Sequence, residues 1–212
     1  MNIIIRKVRM IAPPMTVCTF TPTAEAPCAG IYLASLADGH DSVTIDWGDG
    51  TVERVSTVKQ LIHTYTEPGT YTATISDDIR SIAMSAPRPM LDFVKTCAGQ
   101  LRAFKSTATL LANLTQACFA YCPNLVTFDI SATPIRALTY GLCRDCTALT
   151  GRLDFPNAAV LTISGSTLTF TGCTSPLEIH FAEANRAAIE SSAAYQTDQK
   201  LGAANAVVKF DL

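Results

Sequence analysis

Four cysteines, Cys97, Cys122, Cys146 and Cys173, recur at intervals of 25, 24 and 27 residues. A period of this length constrains a fold strongly. One unit of about 25 residues cannot bury its own apolar edge, so successive units must stack and share a one-dimensional core. The phrase around each cysteine repeats as well. Cys-Pro-Asn-Leu begins at residue 122, Cys-Thr-Ala-Leu at 146 and Cys-Thr-Ser-Pro-Leu at 173. A leucine follows each cysteine by three or four positions, at Leu101, Leu125, Leu149 and Leu177. Phe119, Cys143 and Phe170 stand three positions before the last three cysteines, and Leu114-Thr115 and Leu138-Thr139 about eight before two of them. Apolar pieces at 126–130 and 177–181 predict a strand after the leucine.

The chain before residue 77 has a different texture. Alternating runs at 15–20, 42–46, 51–55 and 71–75, with more continuous apolar runs at 30–33 and 61–63, predict six or seven short strands. Between them lie tight turns at Asp46-Trp47-Gly48-Asp49-Gly50-Thr51 and Glu67-Pro68-Gly69. Short Gly/Pro turns between β-branched and aromatic runs predict an antiparallel two-sheet sandwich. Asp77-Asp78 and Pro87-Arg88-Pro89 punctuate the change to the longer period, and Asp77-Asp78 is expected to be a solvated linker pair. Residues 1–12 alternate at Ile3, Ile5, Val8 and Met10, which predicts a strand or arm able to add to its own domain or to a partner's sheet. Beyond the repeats, 182–195 has helical spacing and 206–210 alternates, as a closing helix and edge strand would.

The particular residues go further than the patterns. WGDGT, then His63-Thr64-Tyr65, then Gly69-Thr70-Tyr71-Thr72-Ala73-Thr74-Ile75 resemble the PKD family of immunoglobulin-like modules over roughly residues 14–76. The cysteine phrases resemble BspA-like leucine-rich repeats over roughly 90–181, with Cys143 where phenylalanine is usual and an altered spacer before Cys173. These resemblances imply a mostly β chain. An N-terminal arm at 1–13 and a PKD-type immunoglobulin-like β-sandwich at 14–78 would lead into a short leucine-rich-repeat solenoid at 79–181. A helix-plus-strand cap at 182–212 would close it. In the first family Asp46, Trp47, Gly48, Asp49, Gly50, His63, Tyr65, Gly69 and Tyr71 have structural roles. In the second, Cys97, Cys122, Cys146, Cys173, Leu101, Leu125, Leu149 and Leu177 form the repeat core.

Charge excludes one class of partner. Sixteen Lys and Arg against eighteen Asp and Glu leave a net charge of −2, which does not suit electrostatic binding of nucleic acid. The charged share of 16% lies well below the usual quarter and leaves a Thr-, Ser- and Ala-rich surface, as on many extracellular or virion proteins. No apolar run is long enough to span a membrane. The first fifteen residues place their charges after a short apolar run, which is not the order of a secretory signal. Synthesis in the cytoplasm with exit by assembly or lysis is therefore expected, unless a leader has been removed.

Reactive chemistry has few candidates. Cys118, Cys122, Cys143 and Cys146 approximate the spacing of a four-thiolate zinc site. The repeat supplies a plainer account, in which Cys122 and Cys146 are small buried hydrophobes and Cys118 and Cys143 their neighbours. A disulfide between adjacent coils is the third option. Cys18 and Cys28, on neighbouring predicted strands, are expected to be buried free thiols. Asp49-Gly50 suits a turn with positive φ, His63 is expected to hydrogen-bond within the sandwich, and Trp47 to anchor its core. A calcium ion at that turn would lack the carboxylate density calcium requires. His40 and His180 stand alone in sequence, no nucleophile–base set arises, and scattered Tyr121, Tyr140 and Tyr195 are expected to pack rather than recognise. No catalytic residue, cofactor or metal is expected. The resemblances imply a non-enzymatic structural or adhesion protein, most readily a phage or prophage virion component such as a head or tail decoration or fibre. Its partners would be other subunits and a host-surface protein or glycan. A bacterial cell-surface adhesin and an accessory carbohydrate-binding module are the alternatives.

Overall fold

The computed structural model describes residues 12–57, 59–83, 97–162, 169–197 and 201–212. The strand expected over residues 1–12 lies, except for its last residue, outside the described residues, as does the Pro87-Arg88-Pro89 break. The fold is mostly β. Among the described residues seven strands precede residue 84: β1 (Met15–Phe20), β2 (Cys28–Leu36), β3 (Val43–Asp46), β4 (Val52–Val55), β5 (Lys59–Thr64), β6 (Tyr71–Ser76) and β7 (Ile79–Ala83). They form two antiparallel groups, β1-β6-β3-β4 and β5-β2-β7, whose inward residues belong to one buried cluster. β1 alternates half-buried and buried residues along its whole length, as a strand with one face on a core must.

β7 follows β6 directly but pairs in the other sheet, so Asp77-Asp78 is a tight turn that carries the chain from one sheet to the other and not a solvated linker. Asp77 is occupied. Its Oδ2 accepts from the backbone N–H and hydroxyl of Thr109 at 3.0 and 2.6 Å, and its Oδ1 from the N–H of Leu110 at 3.0 Å. Asp78 accepts from Ser76 Oγ at 2.5 Å and faces His40 Nδ1 at 2.7 Å.

The second half carries β8 (Leu101–Ser106), β9 (Asn113–Leu114), β10 (Thr127–Asp129), β11 (Ala137–Thr139), β12 (Gly151–Phe155), β13 (Val160–Thr162), β14 (Leu177–Phe181) and β15 (Ala206–Phe210). Both sheets of the first half continue into it. β8 pairs antiparallel with β1, and β10 then pairs parallel with β8. On the other side β9 pairs parallel with β7. Further on, β12, β14 and β15 form a parallel sheet and β11 and β13 a parallel pair. The first three repeats thus contribute one strand to each of two rows (β8 and β9, β10 and β11, β12 and β13), while β14 and β15 extend the first row alone. The sequence pattern anticipated the first row, and the Leu-Thr pairs at 114–115 and 138–139 mark the second.

The first row stacks phenylalanines. Phe104, Phe128, Phe155, Phe181 and Phe210 occupy β8, β10, β12, β14 and β15, with successive ring centroids 5.8, 6.2, 5.8 and 5.7 Å apart. Phe104 and Phe128 are direct register partners, as are Phe155, Phe181 and Phe210. Phe119 packs edge-on against both Phe104 and Phe128. At the far end Arg186 lies 4.5 Å over the Phe210 ring and Tyr195 meets its edge, so the ladder is covered there.

The expected closing helix is broken. A 3₁₀ turn at Glu183–Asn185 leads to α1 (Arg186–Glu190), and α2 (Ala193–Thr197) follows. Between them the hydroxyls of Ser191 and Ser192 donate to the carbonyls of Ala188 and Ile189, a local bonding that competes with helix continuation. β15 pairs parallel with β14 as one more rung of the row.

Candidate functional site: a charged strand face with an open cleft

The nine turn and sandwich residues singled out above lie together at one end of the first half. Asp46 Oδ1 accepts the Gly48 N–H and Asp49 Oδ1 the Thr51 N–H, both at 2.9 Å. Asp49 Oδ2 is 2.7 Å from His63 Nε2, and the His63 ring stacks on Trp47 at 4.9 Å. Trp47 is fully buried and donates its indole N–H to Glu53 at 3.1 Å. The Tyr65 hydroxyl donates to the Trp47 carbonyl at 3.1 Å, and Tyr65 stacks on Tyr71 at 4.0 Å beside Gly69. Gly48 has φ +81°, and a Cβ there would lie 2.4 Å from the Thr72 carbonyl oxygen, so only glycine fits. Burial acts to raise the Asp49 carboxyl, but hydrogen bonds from His63 and Thr51 outweigh it and hold the group below its ordinary value. The polar groups named here bond to one another and together form a brace.

Two of the repeat cysteines share a task. Cys146 Sγ donates to the Phe119 carbonyl at 3.0 Å and Cys173 Sγ to the Cys143 carbonyl at 3.2 Å, each reaching the coil before it. Phe119 and Cys143 are equivalent positions, so the bond recurs with the repeat. Cys118 donates likewise to Ile82 at 3.1 Å. Burial pushes the thiols of Cys122 and Cys143 well above their ordinary value and that of Cys173 to about 12. All three are protonated at neutral pH. Among the described residues no group of three or more His, Cys, Asp or Glu is arranged to hold a metal ion.

Cys28 and Cys97 depart from expectation, because they form a disulfide. Cys97 holds its place in the buried core but is not a free thiol of the column. It ties the start of the first coil to β2. Sequence spacing could not reveal this, since the partners are 69 residues apart. Cys18, Cys118, Cys122, Cys143, Cys146 and Cys173 are free and buried. Leu101, Leu125, Leu149 and Leu177 are buried in the repeat core.

Polar side chains concentrate on the outer face of the phenylalanine row. Lys105 Nζ lies 3.0 Å from Asp129, Arg152 Nε 2.7 Å from Asp154, and Lys209 Nζ 3.1 Å from Glu178. His180 does not stand alone. It is buried with Nδ1 2.5 Å from Asp211 and Nε2 3.3 Å from Glu178. Both ring nitrogens face carboxylate oxygens, which are hydrogen-bond acceptors. The hydrogen bond from His180 is the main cause holding the Asp211 carboxyl below its ordinary value, and that from Lys209 does the same for Glu178. A cleft of about 340 Å³ opens on this face between β10 and β12, lined by Thr127, Phe128, Asp129, Ser131, Thr150, Arg152 and Asp154. Sequence reasoning missed this row. Its signal was a polar residue seven or eight positions after each of three repeat cysteines, at Asp129, Asp154 and His180.

The tyrosines are spread out. Tyr195 packs at the end of the ladder, Tyr121 lies under the Arg144 guanidinium at 5.7 Å, and Tyr140 is half-buried. Among the described residues no helix is long and apolar enough to cross a membrane. The chain matches no protein-family model, no curated protein and no solved structure.

Proposed function

We propose that this chain is a non-enzymatic structural and adhesion protein. In this reading a PKD-type immunoglobulin-like sandwich is fused to a short leucine-rich-repeat solenoid, and the outer strand face is displayed to a protein or glycan partner. The observation that carries it is the continuity of the two halves. β1 passes its pairing to β8 and β7 to β9, so the sandwich holds the strand row as one body would. A rigid, unreactive support presenting a row of outward side chains suits display. The low charge and Thr/Ser-rich surface favour a phage or prophage virion component, with other virion subunits as its assembly partners.

A second reading, a bacterial cell-surface adhesin, draws on the Cys28–Cys97 disulfide, a bond typical of oxidising surroundings. Particle gradients from induced cultures of the source organism separate the two. The chain sedimenting with particles, detected by mass spectrometry, is the expected result. Recovery in the cell-envelope fraction alone would favour the adhesin. Failure of the labelled protein to bind any cell surface in flow cytometry, together with absence from particles, would end both.

A further inference from the structure

We propose that the cleft between β10 and β12 binds a single neutral sugar residue; this rests on the reading of the strand face as a recognition surface and names its ligand class. The cleft exists because the row comes apart there. β10 is paired to β8 and β12 to β14, but no ladder joins β10 to β12. One backbone bond, from the Thr150 N–H to the Val126 carbonyl at 3.4 Å, closes the near end. Gly151 turns the chain with φ +86° as β12 begins, and nothing lies within 4 Å of the position its Cβ would take. The Phe128–Phe155 step is the widest in the phenylalanine row.

The opening decides the ligand by size and by chemistry. At about 340 Å³ it falls at the lower end of small-molecule pockets. An inserted β-strand does not fit, since it would need two strand spacings, and the Thr150–Val126 bond holds the walls one spacing apart. Charge on the walls is balanced, with Asp129 against Lys105 and Asp154 against Arg152, so no anion or cation is drawn in. What the walls offer is hydrogen bonding in both directions. Asp129 and Asp154 accept. Thr127 carries a hydroxyl, while that of Ser131 donates to Asp129 at 2.7 Å and can only accept from a ligand. Arg152 uses Nε on Asp154, and its terminal N–H groups make no hydrogen bond among the described residues. Burial acts to raise the Asp129 carboxyl, but bonds from Ser131 and the nearby Lys105 prevail, which keeps it an acceptor at neutral pH. A polyhydroxylated ring, whose vicinal hydroxyls donate to a carboxylate and accept from a guanidinium, matches this set.

The test is a ¹H–¹⁵N NMR titration of the whole chain with neutral hexoses, deoxyhexoses and N-acetylhexosamines. Sialic acid, a hexose phosphate and an unrelated peptide serve as controls. At least one neutral sugar is expected to shift the amides of residues 127–131 and 150–154 selectively. Asp154→Asn and Thr127→Val should each weaken that binding, the former by about tenfold, as for loss of a charge-assisted hydrogen bond. Unchanged thermal melting of both variants would show that the fold is intact. Shifts from charged controls alone, shifts elsewhere on the chain, or no shift at tens of millimolar sugar would overturn the inference. Cell binding by Asp154→Asn keeps the two proposals apart. If it equals wild type while the sugars are silent, the cleft assignment fails and the display reading stands. If wild type binds no cells yet the sugar shifts occur, the display reading fails and the cleft assignment stands.

Discussion

The two halves of this molecule are built on opposite plans. The N-terminal half joins unlike residues once: Trp47, Asp49, His63, Tyr65 and Tyr71 form a single polar-aromatic brace at the end of an antiparallel pair of sheets. The C-terminal half joins like residues repeatedly, stacking phenylalanine on phenylalanine and bonding Cys146 and Cys173 each to a carbonyl of the preceding repeat. Backbone geometry follows the same division. Tyr121 and Asp145, at φ 61° and 59°, and Gly172 at 82° all directly precede a repeat cysteine. The left-handed residue is thus a recurring part of the coil, whereas Gly48 is a unique solution to one close approach. A unique brace fails locally when one member changes. A stack passes the damage to its neighbours.

The largest effect that would break this comparison is loss of a ladder ring. Phe155→Ala is expected to cost about 3–5 kcal/mol, and Trp47→Ala about the same. Trp47 is the only tryptophan, so its fluorescence reports the first half alone. Because both sheets run across the junction, Phe155→Ala should lower the denaturant midpoint seen by Trp47 as much as that seen by circular dichroism. Two separated transitions would show that the halves unfold independently. Next comes the covalent tie. Cys97→Ala is expected to lose about 3–4 kcal/mol, since the bond closes a long loop in the unfolded chain, and wild type in reductant should match it in chemical denaturation. Gly48→Ala should cost about 2–3 kcal/mol through positive φ and the Thr72 contact. It should act on the brace without altering the coils.

Smaller effects sharpen the contrast. Cys146→Ala removes a thiol donor and a little volume and is expected to cost about 1 kcal/mol. Native protein should leave all six free thiols unlabelled by alkylating agents over the time in which denatured protein reacts fully. Fast labelling of two or more would contradict their burial. The Asp49 carboxyl is held below its ordinary value near 3.8 in the folded chain. Its contribution is therefore complete above that value and fades as pH falls through the depressed one. Thermal melts from pH 6 to pH 2 should show an acid decline that Asp49→Asn makes shallower. An unchanged slope would mean that the Asp49–His63 contact contributes nothing.

Strand existence was legible wherever local chemistry spoke. Met15–Phe20 alternates without interruption, and the turn at Gly48 and Gly50 demands backbone shapes that few other residues take. The missed strand, Ile79–Ala83, follows Asp77-Asp78, a pair that resembles a linker until Thr109 and Leu110 are seen donating to it. In the coils the cysteine and leucine positions were visible as a period. The phenylalanines were in the sequence at 104, 128, 155, 181 and 210 but at less even spacing. Their alignment depends on the length of each turn, which only the folded register reveals.

By itself the sequence determined a β-rich chain in two textures, the place of most strands, and a stacking period of about 25 residues. Those properties rest on alternation, turn residues and recurrence, which act over a few residues or repeat often enough to be counted. Tertiary structure alone decided that β1 would pass its pairing to β8, that Cys28 would meet Cys97, and that His180 would sit between Glu178 and Asp211. It also decided that the row would open between β10 and β12 and leave a cleft. Each of these joins residues distant in sequence or depends on where a ladder stops. Such contacts are selected by burial and closure of the whole chain, for which no single stretch carries the information.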